Sequence, residues 1–279
     1  MAAIKRNKKK PLRKERKFPQ FPSMLKANLE KFFDTLEGID NKDRIAIFEL
    51  NNTLLLGSIT DAAVAYLLEN EIDINFKWSK YQERLTNGKE QTAYIKASQA
   101  FAGMEIGCVK RFADVVLNMK DDNITFFEDD TVYKVAVPRI NPHFKLIVNL
   151  LKEQGFKIYV VSMSNQYLVE TVAARLAIPA KHCLGIKHKM TKFDDIEVLS
   201  TDILEPIHFS NDTIQIYKQQ IAENLPLFFA GSSDTALALI EPGASKGFIL
   251  WTGNKELGDS LSEQINVSYF INYRSLFKH

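Results

Sequence analysis

The order of apolar and polar residues predicts that the chain begins with a helix and then enters a buried strand. In the first segment apolar residues recur at the spacing of one helix face: Leu25, Leu29, Phe32, Phe33 and Leu36. Ser23 is the expected N-cap of this helix, and Gly38 is expected to end it. A continuous β-prone run at 45–48 then predicts a buried strand, which polar residues follow at 49–53. In open parallel sheets, ligands bind at such strand ends.

Residues 57–139 have an almost entirely helical pattern. The candidate helices lie at 60–69, 77–86, 89–102 and 106–119. Asn87, Gly88 and Gly103 separate them. An acidic stretch at 121–130 is expected to lead the chain back as a connection. This pattern predicts a helical block inserted after the first strand.

From residue 142 onwards, helical and β-prone segments alternate. The predicted helices lie at 142–153, 165–176, from 210 or 211 to 223, and at 256–264, with a further short helix after 236. The predicted strands lie at 157–162, 182–186, 227–230, 247–251 and 267–271, and a hairpin or long loop is expected at 187–209. Such alternation predicts an α/β fold with a Rossmann-like, mostly parallel sheet flanked by helices.

Composition places the chain among globular proteins of the cytoplasm. Its 279 residues are 46% hydrophobic, which allows a large core in one domain with an insertion, or in two domains. No apolar run approaches the roughly 20 residues of a transmembrane helix, and no signal peptide is expected. Two cysteines, Cys108 and Cys183, do not make a disulfide framework, which favours a reducing compartment.

The charge of the chain is unevenly distributed. Residues 5–17 hold nine Lys or Arg and one acid, which leaves 27 basic and 33 acidic residues in the rest of the chain. Such a segment is expected to stay disordered because its like charges repel one another and it offers little apolar surface. It is either an arm that binds a polyanion, such as nucleic acid or an anionic membrane surface, or a solubilising terminus. Composition does not separate the two interpretations.

The polar residues after the first predicted strand read Glu49-Leu50-Asn51-Asn52-Thr53. This stretch resembles the first motif of the haloacid-dehalogenase superfamily of phosphohydrolases, in which a strand ends in Asp-x-Asp-x-Thr. The frame is kept, but both aspartates are replaced. The helical block resembles the cap domain of the phosphoserine-phosphatase-like branch of that superfamily. With the basic tail at 1–22, the resemblance implies a core at 23–56 and 140–279 and a helical cap at 57–139.

Two stretches of the helical block, 78–81 and 99–104, are similar to phosphorylcholine phosphatases. Aromatic residues at helical spacing are also ordinary in a helical core, and we favour that interpretation for them. The resemblance as a whole covers roughly residues 25–275 and rests on the order and spacing of motifs.

In that superfamily the first Asp of the motif attacks phosphorus, and the second acts as acid and base. A hydroxyl after a later strand holds a phosphate oxygen, a Lys neutralises the first carboxylate, and a last acidic motif supplies Mg²⁺ ligands. Mg²⁺ and Lys offset the repulsion between an anionic phosphoryl group and a carboxylate nucleophile. The resemblance places Glu49 at the nucleophile position and Asn51 at the acid–base position.

The phosphate-binding positions are better matched. Thr53 matches the motif, and Ser162, at the end of a predicted strand, matches the phosphate-binding hydroxyl. The position of the superfamily's Lys falls near Thr213, and Lys218 is a weaker candidate farther along. The resemblance therefore implies that phosphate contacts are retained.

The last motif aligns with residues 231–241 and lacks its acids. Ser232 and Ala236 stand at the two acidic positions. Ser232 and Ser233 are candidates for phosphate binding, and Asp234 is a weak candidate for a metal ligand, two residues out of register. Mg²⁺ is usually held by one or two carboxylates, so no cofactor is expected unless the protein is active, in which case it would be Mg²⁺.

These replacements predict a catalytically inactive or weak phosphatase-like protein that keeps a phosphate- or anion-binding pocket and has a binding or regulatory role. The extra methylene of Glu49 displaces the attacking oxygen, and a misplacement near 1 Å can cost on the order of a hundredfold in rate. The amide of Asn51 cannot exchange a proton near neutral pH, and acid–base catalysis is worth roughly 10²–10⁴. The expected ligand is a small phosphorylated or anionic molecule.

Two other functions stay open. One is an active phosphomonoesterase that uses Glu49 as nucleophile, and the other is a nucleic-acid- or ribosome-associated protein that binds through its basic tail. Without the resemblance, Glu49 and Asn51 are ordinary polar loop residues. A metal site at 182–188 is not favoured because the spacing of its His and Cys residues fits no familiar zinc pattern. No nucleotide-binding glycine motif is present.

Overall fold

The computed structural model describes residues 21–205, 207, 217, 219–221, 226–232, 247–264 and 269–273, with the backbone alone at 261, 263 and 264. The basic segment 5–17 lies outside these residues. So does most of the helix that the sequence predicts between 210 and 223, together with the short helix predicted after 236.

The secondary structure follows the alternation that the sequence predicts. The helices are α1 (Ser23–Thr35), α2 (Ile59–Glu69), α3 (Trp78–Thr86), α4 (Glu90–Gln99), α5 (Ile106–Asn118), α6 (Pro142–Glu153), α7 (Gln166–Arg175) and α8 (Lys255–Gln264). The strands are β1 (Ile45–Glu49), β2 (Leu55–Leu56), β3 (Asn123–Glu128), β4 (Thr131–Ala136), β5 (Arg139–Ile140), β6 (Lys157–Asn165), β7 (Cys183–Ile186), β8 (His188–Phe193), β9 (Ile196–Ile203), β10 (Phe228–Gly231), β11 (Phe248–Trp251) and β12 (Tyr269–Asn272).

Six parallel strands form the central sheet in the order β12-β11-β10-β1-β6-β7. Strand β1 is central, and its Ile47 is in register with Phe229 of β10 and Tyr159 of β6. The carboxyl ends of these three strands therefore meet at one edge of the sheet. The predicted fold class, a mostly parallel sheet flanked by helices, is confirmed.

Both faces of β1 are buried, which explains its uninterrupted apolar sequence. Phe48 packs on one face, with its ring centroid 5.4 Å from that of Phe228 and 6.1 Å from that of Phe144 in α6. Phe32 of α1 covers the same face and lies 5.2 Å from Phe248. Ile47 belongs to a separate apolar cluster on the opposite face. Because both faces of the sheet are covered at β1, a ligand would have to approach this strand at its end.

The insertion between β1 and α6 contains the four predicted helices, but it is not wholly helical. The acidic stretch that leads the chain back forms an antiparallel hairpin, β3–β4, which the sequence analysis did not predict. Side chains alternate along β3, so that Phe126 is buried whereas Phe127 is 74% exposed. The turn is made by Asp129 and Asp130, whose φ angles of 45° and 61° are left-handed. Acidic residues make this turn without the glycine that usually identifies a hairpin.

The β3–β4 hairpin supplies the N-terminal cap of α3. The carboxylate of Glu128 accepts hydrogen bonds from the backbone N–H groups of Trp78, at 2.6 Å, and Ser79, at 2.9 Å. Burial alone would raise the pKa of Glu128, but these donors at the helix N-terminus lower it. Trp78 and Tyr81 are buried in an aromatic cluster with the hairpin, and the prediction that they are core residues is confirmed. Whether the insertion acts as a cap domain stays a prediction.

Two local predictions have different outcomes. Helix α1 begins at Ser23 itself, and Pro22 occupies the N-cap position without a side-chain hydrogen bond, so the prediction of Ser23 as N-cap was wrong. Pro22 already has an extended ψ of 139°, which sets the chain direction before the first turn. The predicted hairpin or loop at 187–209 is the hairpin β8–β9.

Neither a membrane span nor a disulfide is found in the part of the chain that the structure describes. None of its helices is long and apolar enough to cross a bilayer. Cys183 is buried, Cys108 is half-buried, and both are free thiols.

Candidate functional site

Glu49 lies at the end of β1 and is held by the loop that follows β10. Its Oε2 accepts a hydrogen bond from the backbone N–H of Ser232, at 2.6 Å, and one from the Ser232 hydroxyl, at 3.2 Å. Gly231 makes this possible, because a Cβ there would lie 2.6 Å from the Glu49 Cδ. The carboxylate at the predicted nucleophile position is therefore fixed across the neighbouring strand.

Asn51 bridges two elements through both ends of its amide. Its Oδ1 accepts a hydrogen bond from the N–H of Ile59, the first residue of α2, and its Nδ2 donates to the Ser164 hydroxyl, each at 3.1 Å. The first N–H groups of a helix have no partner within the helix, so this acceptor stabilises the start of α2. An amide makes both contacts at once, whereas an ionised carboxylate only accepts. Asn51 is thus suited to positioning the loop and α2.

Two hydroxyls lie side by side at the end of β6. Ser162 Oγ donates to Ser164 Oγ at 3.0 Å, and the backbone N–H of Ser164 donates to Ser162 Oγ at 3.1 Å. Ser162 was predicted as a phosphate-binding residue, but Ser164 was not considered. The spacing of two residues is the signal that could have identified it, because alternate residues of a strand point to the same face. Ser164 connects Ser162 to Asn51.

Thr53 lies at the same edge of the sheet but faces inward. Its hydroxyl is fully buried and lies 2.7 Å from the hydroxyl of Thr252, which follows β11. Asn52, which lies between Asn51 and Thr53, has a left-handed φ of 56°, and its backbone N–H donates a hydrogen bond to the carbonyl of Gly57. Contact between Thr53 and a phosphate would require this arrangement to change, and its predicted role in binding stays a prediction.

A buried carboxyl from the insertion was missed by sequence reasoning. Asp61, in the first turn of α2, accepts a hydrogen bond of 2.7 Å from the hydroxyl of Tyr81. Burial raises the pKa of Asp61. Burial, together with the charges of Asp61, Glu90 and Glu49, raises the pKa of Tyr94 to about 12. The ring centroid of Tyr94 lies 6.2 Å from that of Tyr81, so α2, α3 and α4 bring Asp61 and the two tyrosines together.

The remaining predicted site residues are outside the described part of the chain. These are Lys218, Ser233 and Asp234, together with Thr213 and Ala236. Their predicted roles stay predictions.

The side chains that the structure describes at the strand ends do not fit an Mg²⁺ site. Mg²⁺ requires six oxygen ligands in near-octahedral geometry and is usually anchored by one or two carboxylates. Glu49 already accepts two hydrogen bonds from Ser232, and the Asn51 carbonyl oxygen accepts one from Ile59. Across the described ranges, no three His, Cys, Asp or Glu side chains come together in a metal-binding arrangement.

The residues at 182–188 are engaged in separate structural contacts. The ring of His182 stacks on Tyr159 with centroids 4.4 Å apart, and the thiol of Cys183 donates to the carbonyl of Pro179. His188 lies 2.8 Å from the hydroxyl of Ser98. Each has its own partner, which agrees with the interpretation of these residues as core or turn residues.

Comparisons with known proteins find similarity in sequence and in fold. No protein-family model matches the sequence. Phosphorylcholine phosphatase from Pseudomonas aeruginosa is 23% identical over 161 residues, which cover 50% of this chain and 46% of that protein. The chain thus matches less than half the length of this relative.

Two solved structures share the fold. A conserved protein of unknown function from Anaerococcus prevotii aligns with a TM-score of 0.62 at 14% identity, covering 88% of this chain and 91% of that chain. A HAD family hydrolase from Salmonella enterica serovar Typhi aligns with a TM-score of 0.51 at 15% identity, covering 83% and 67%. Together with the β1 motif and the parallel sheet, these similarities confirm the predicted resemblance: the chain has the fold of the haloacid-dehalogenase superfamily.

Proposed function

We propose that this chain binds a small phosphorylated or anionic molecule at the carboxyl ends of β1, β6 and β10 and hydrolyses it weakly or not at all. In that role it is a binding or regulatory protein built on a phosphatase fold. The observation that carries the proposal is the pair of hydrogen bonds made by the Asn51 amide. Its amide occupies the acid–base position of the motif and is committed to Ile59 and Ser164.

The cost of this replacement is large. General acid–base catalysis contributes roughly 10²–10⁴ to rate, and the Asn51 amide supplies none of it near neutral pH. Glu49 keeps a carboxylate, but the loop after β10 holds that carboxylate across Gly231. A nucleophile displaced by about 1 Å can lose a further hundredfold. Metal-dependent hydrolysis would also need ligands that the described residues do not provide.

The hydroxyls that remain suit an anion. Ser162, Ser164 and Ser232 place hydroxyls at the ends of the strands on either side of β1, and those of Ser162 and Ser232 could turn from Ser164 and Glu49 to donate to a ligand. Ser233 and Lys218 are further candidates by sequence. An uncharged Asn51 repels a phosphate less than an aspartate would. Hydroxyl and backbone N–H donors can hold a phosphate without a metal.

The insertion supports a ligand whose other end carries positive charge. Asp61 and the rings of Tyr81 and Tyr94 come from α2, α3 and α4, with Asp61 bonded to the Tyr81 hydroxyl and the two ring centroids 6.2 Å apart. A carboxyl beside aromatic rings is a favourable environment for an ammonium group. The similarity to a protein named phosphorylcholine phosphatase agrees with this ligand class. We therefore propose a zwitterionic phosphomonoester as the ligand.

Calorimetry with phosphorylcholine and with inorganic phosphate tests the binding. We expect the wild-type protein to bind phosphorylcholine at millimolar or lower concentration, and Ser162→Ala with Ser164→Ala to weaken it at least fivefold. An exposed hydroxyl variant, Ser79→Ala, is the matched control and should bind like wild type. No heat of binding at 10 mM of either ligand would refute the proposal.

An aryl-phosphate assay with Mg²⁺ distinguishes the second candidate function, an active phosphomonoesterase that uses Glu49. That candidate is favoured by the one carboxylate that the motif retains. Turnover above background that disappears in Glu49→Ala would establish the enzyme. Turnover that survives in Glu49→Ala would be contamination, and equal background in both proteins would support the binding role.

Residues 5–17 stay a proposed polyanion-binding arm, and a cytoplasmic location stays a proposal that agrees with the free thiols of Cys108 and Cys183. Deleting residues 1–17 should remove salt-dependent binding to RNA or DNA. Nucleic-acid binding that persists in the truncated protein would show that the arm is not responsible.

A further inference from the structure

A second cleft lies on the insertion, between α3 and α4, and shares no residue with the strand-end site. Its volume is about 730 Å³. Its lining includes four basic residues, Lys77, Lys80 and Arg84 from the N-cap and body of α3 and Lys96 from α4, together with Thr201 of β9. We refer to it as the basic cleft. Its volume falls within the range of roughly 300–1,000 Å³ typical of small-molecule sites.

The positive charge of the basic cleft is poorly compensated. Lys77 lies 3.4 Å from Asp129, and both side chains are largely exposed, so this ion pair is weak. Lys80, Arg84 and Lys96 form no ion pair with any residue that the structure describes. Among the described residues that line the cleft, Asp73 carries a carboxylate. Three cations therefore face the same space without a carboxylate partner.

This concentration of charge differs from the rest of the molecule. Outside residues 5–17 the chain has 27 basic and 33 acidic residues, so its body is acidic overall. Like charges placed together repel one another, and a concave wall of one sign raises the local concentration of the opposite ion. The basic cleft on an acidic body is therefore expected to attract anions.

The lining of the basic cleft also includes apolar side chains, which favours an anion that has an apolar part. Ile74, Phe76 and Ala100 lie among its lining residues. Lys77, at the N-cap of α3, and Arg84, in its last turn, are separated by about 10 Å along the helix axis, at 1.5 Å per residue. That span exceeds what one phosphate can contact and suits two or three linked phosphates. We propose that the basic cleft binds an organic oligophosphate, with its phosphates on the basic side chains and its apolar part on Phe76.

Helix α4 connects the basic cleft to the first site. Lys96 and Gln99 line the cleft, whereas Tyr94 and Ser98 belong to the opposite side of the helix. Gln99 is also fixed, because its Nε2 donates to the carbonyl of Thr201 at 2.8 Å. One helix thus contributes to both ligand environments, but the two sets of side chains are separate and can be changed independently.

Calorimetric titration of the full-length protein with ATP tests the proposal. We expect the double variant Lys80→Glu with Lys96→Glu to weaken ATP binding at least tenfold. Both side chains are exposed and unpaired among the described residues, so thermal unfolding should be unchanged. The matched control is Lys134→Glu with Lys145→Glu, which changes the net charge equally on exposed residues elsewhere and should bind ATP within twofold of wild type.

Further arms of the same experiment separate the alternatives. Ser162→Ala with Ser164→Ala should leave ATP binding unchanged, and selective loss in that variant would place ATP in the strand-end site instead. Inorganic tripolyphosphate should bind at least threefold more weakly than ATP, because it lacks an apolar part. Absence of ATP binding at 2 mM, an equal loss in the control variant, or binding of single-stranded RNA but not of ATP would each overturn the proposal.

Discussion

Single side chains set the charge of the strand-end site. Glu49, held by Ser232, places a negative charge where a phosphate is proposed to bind, whereas Asn51 presents a neutral amide at the neighbouring position. Two unit charges 5 Å apart interact by about 1 kcal/mol in water, and by more when partly buried. The charge of Glu49 should therefore weaken anion binding measurably.

We expect Glu49→Gln to bind inorganic phosphate about fivefold more tightly than wild type. The amide oxygen can still accept the N–H of Ser232, so the loop should be kept while the repulsion is removed. Isothermal titration calorimetry measures the change. Glu256→Gln makes the same substitution on the exposed side of α8 and should have no effect. Weaker binding in Glu49→Gln would mean that the carboxylate organises the site rather than repelling the ligand.

At Asp61 we expect a substitution to distinguish the two ends of the proposed ligand. Asp61→Asn removes the carboxylate next to Tyr81 but keeps an acceptor for its hydroxyl. Affinity for phosphorylcholine should fall about tenfold, and affinity for inorganic phosphate should stay within twofold. Parallel calorimetric titrations give the ratio. An equal loss for both ligands would show that Asp61 serves the fold and not the cationic group.

At the scale of elements, the sequence predicts best those helices and strands whose apolar residues follow a single regular pattern. The run at 45–48 is buried on both faces and was recognised as β1, and the apolar face of α6 matched its predicted bounds at 142–153. The β3–β4 hairpin was missed because Asp129 and Asp130 make its turn, whereas acidic runs usually indicate exposed connections. The partnership between Asn51 and Ser164 spans 113 residues, and no local pattern reports it.

The loop after β10 depends on the absence of a side chain at Gly231. A Cβ there would lie 2.4 Å from the Phe229 ring and 2.6 Å from the Glu49 Cδ. We expect Gly231→Ala to destabilise the protein by about 1–3 kcal/mol and to displace the Glu49 carboxylate. Urea unfolding measures this. Gly107→Ala is the control, because that position in α5 has open space, and the change should stabilise by about 0.5–1 kcal/mol. Equal stability of the Gly231 variant and wild type would contradict the close contact.

At the scale of the whole molecule, one buried histidine connects three parts of the chain. The Nε2 atom of His188, in β8, lies 2.8 Å from the Ser98 hydroxyl of α4, and its Nδ1 atom lies 2.6 Å from the carbonyl oxygen of Ser200 in β9. Because a carbonyl only accepts, the proton is on Nδ1 and Nε2 accepts from Ser98. Asn165 at the end of β6 also donates to Ser98, at 3.3 Å. A second proton on His188 would leave the Ser98 hydroxyl facing two donors.

Burial lowers the pKa of His188 below its ordinary value of 6.5, and the hydrogen bond to Ser200 offsets only part of this effect. Between the folded pKa and 6.5 the unfolded chain binds more protons, so stability is retained above 6.5 and lost as the pH falls through the folded pKa. We expect the free energy of unfolding to fall as the pH is lowered from 7.5 to 5. Urea unfolding of wild type and His188→Gln measures it, and the variant should be less stable at pH 7.5 but less sensitive to acid. Identical pH profiles would assign the acid sensitivity to other groups.

The central position of β1 brings together side chains that are remote along the chain. Glu49 meets Ser232 across 183 residues, and Asn51 meets Ser164 across 113. The site is therefore a junction of three distant sequence stretches, each of which mutates independently of the others. A single substitution at Glu49, Asn51, Ser164 or Ser232 would therefore disturb a contact that holds two of these stretches together.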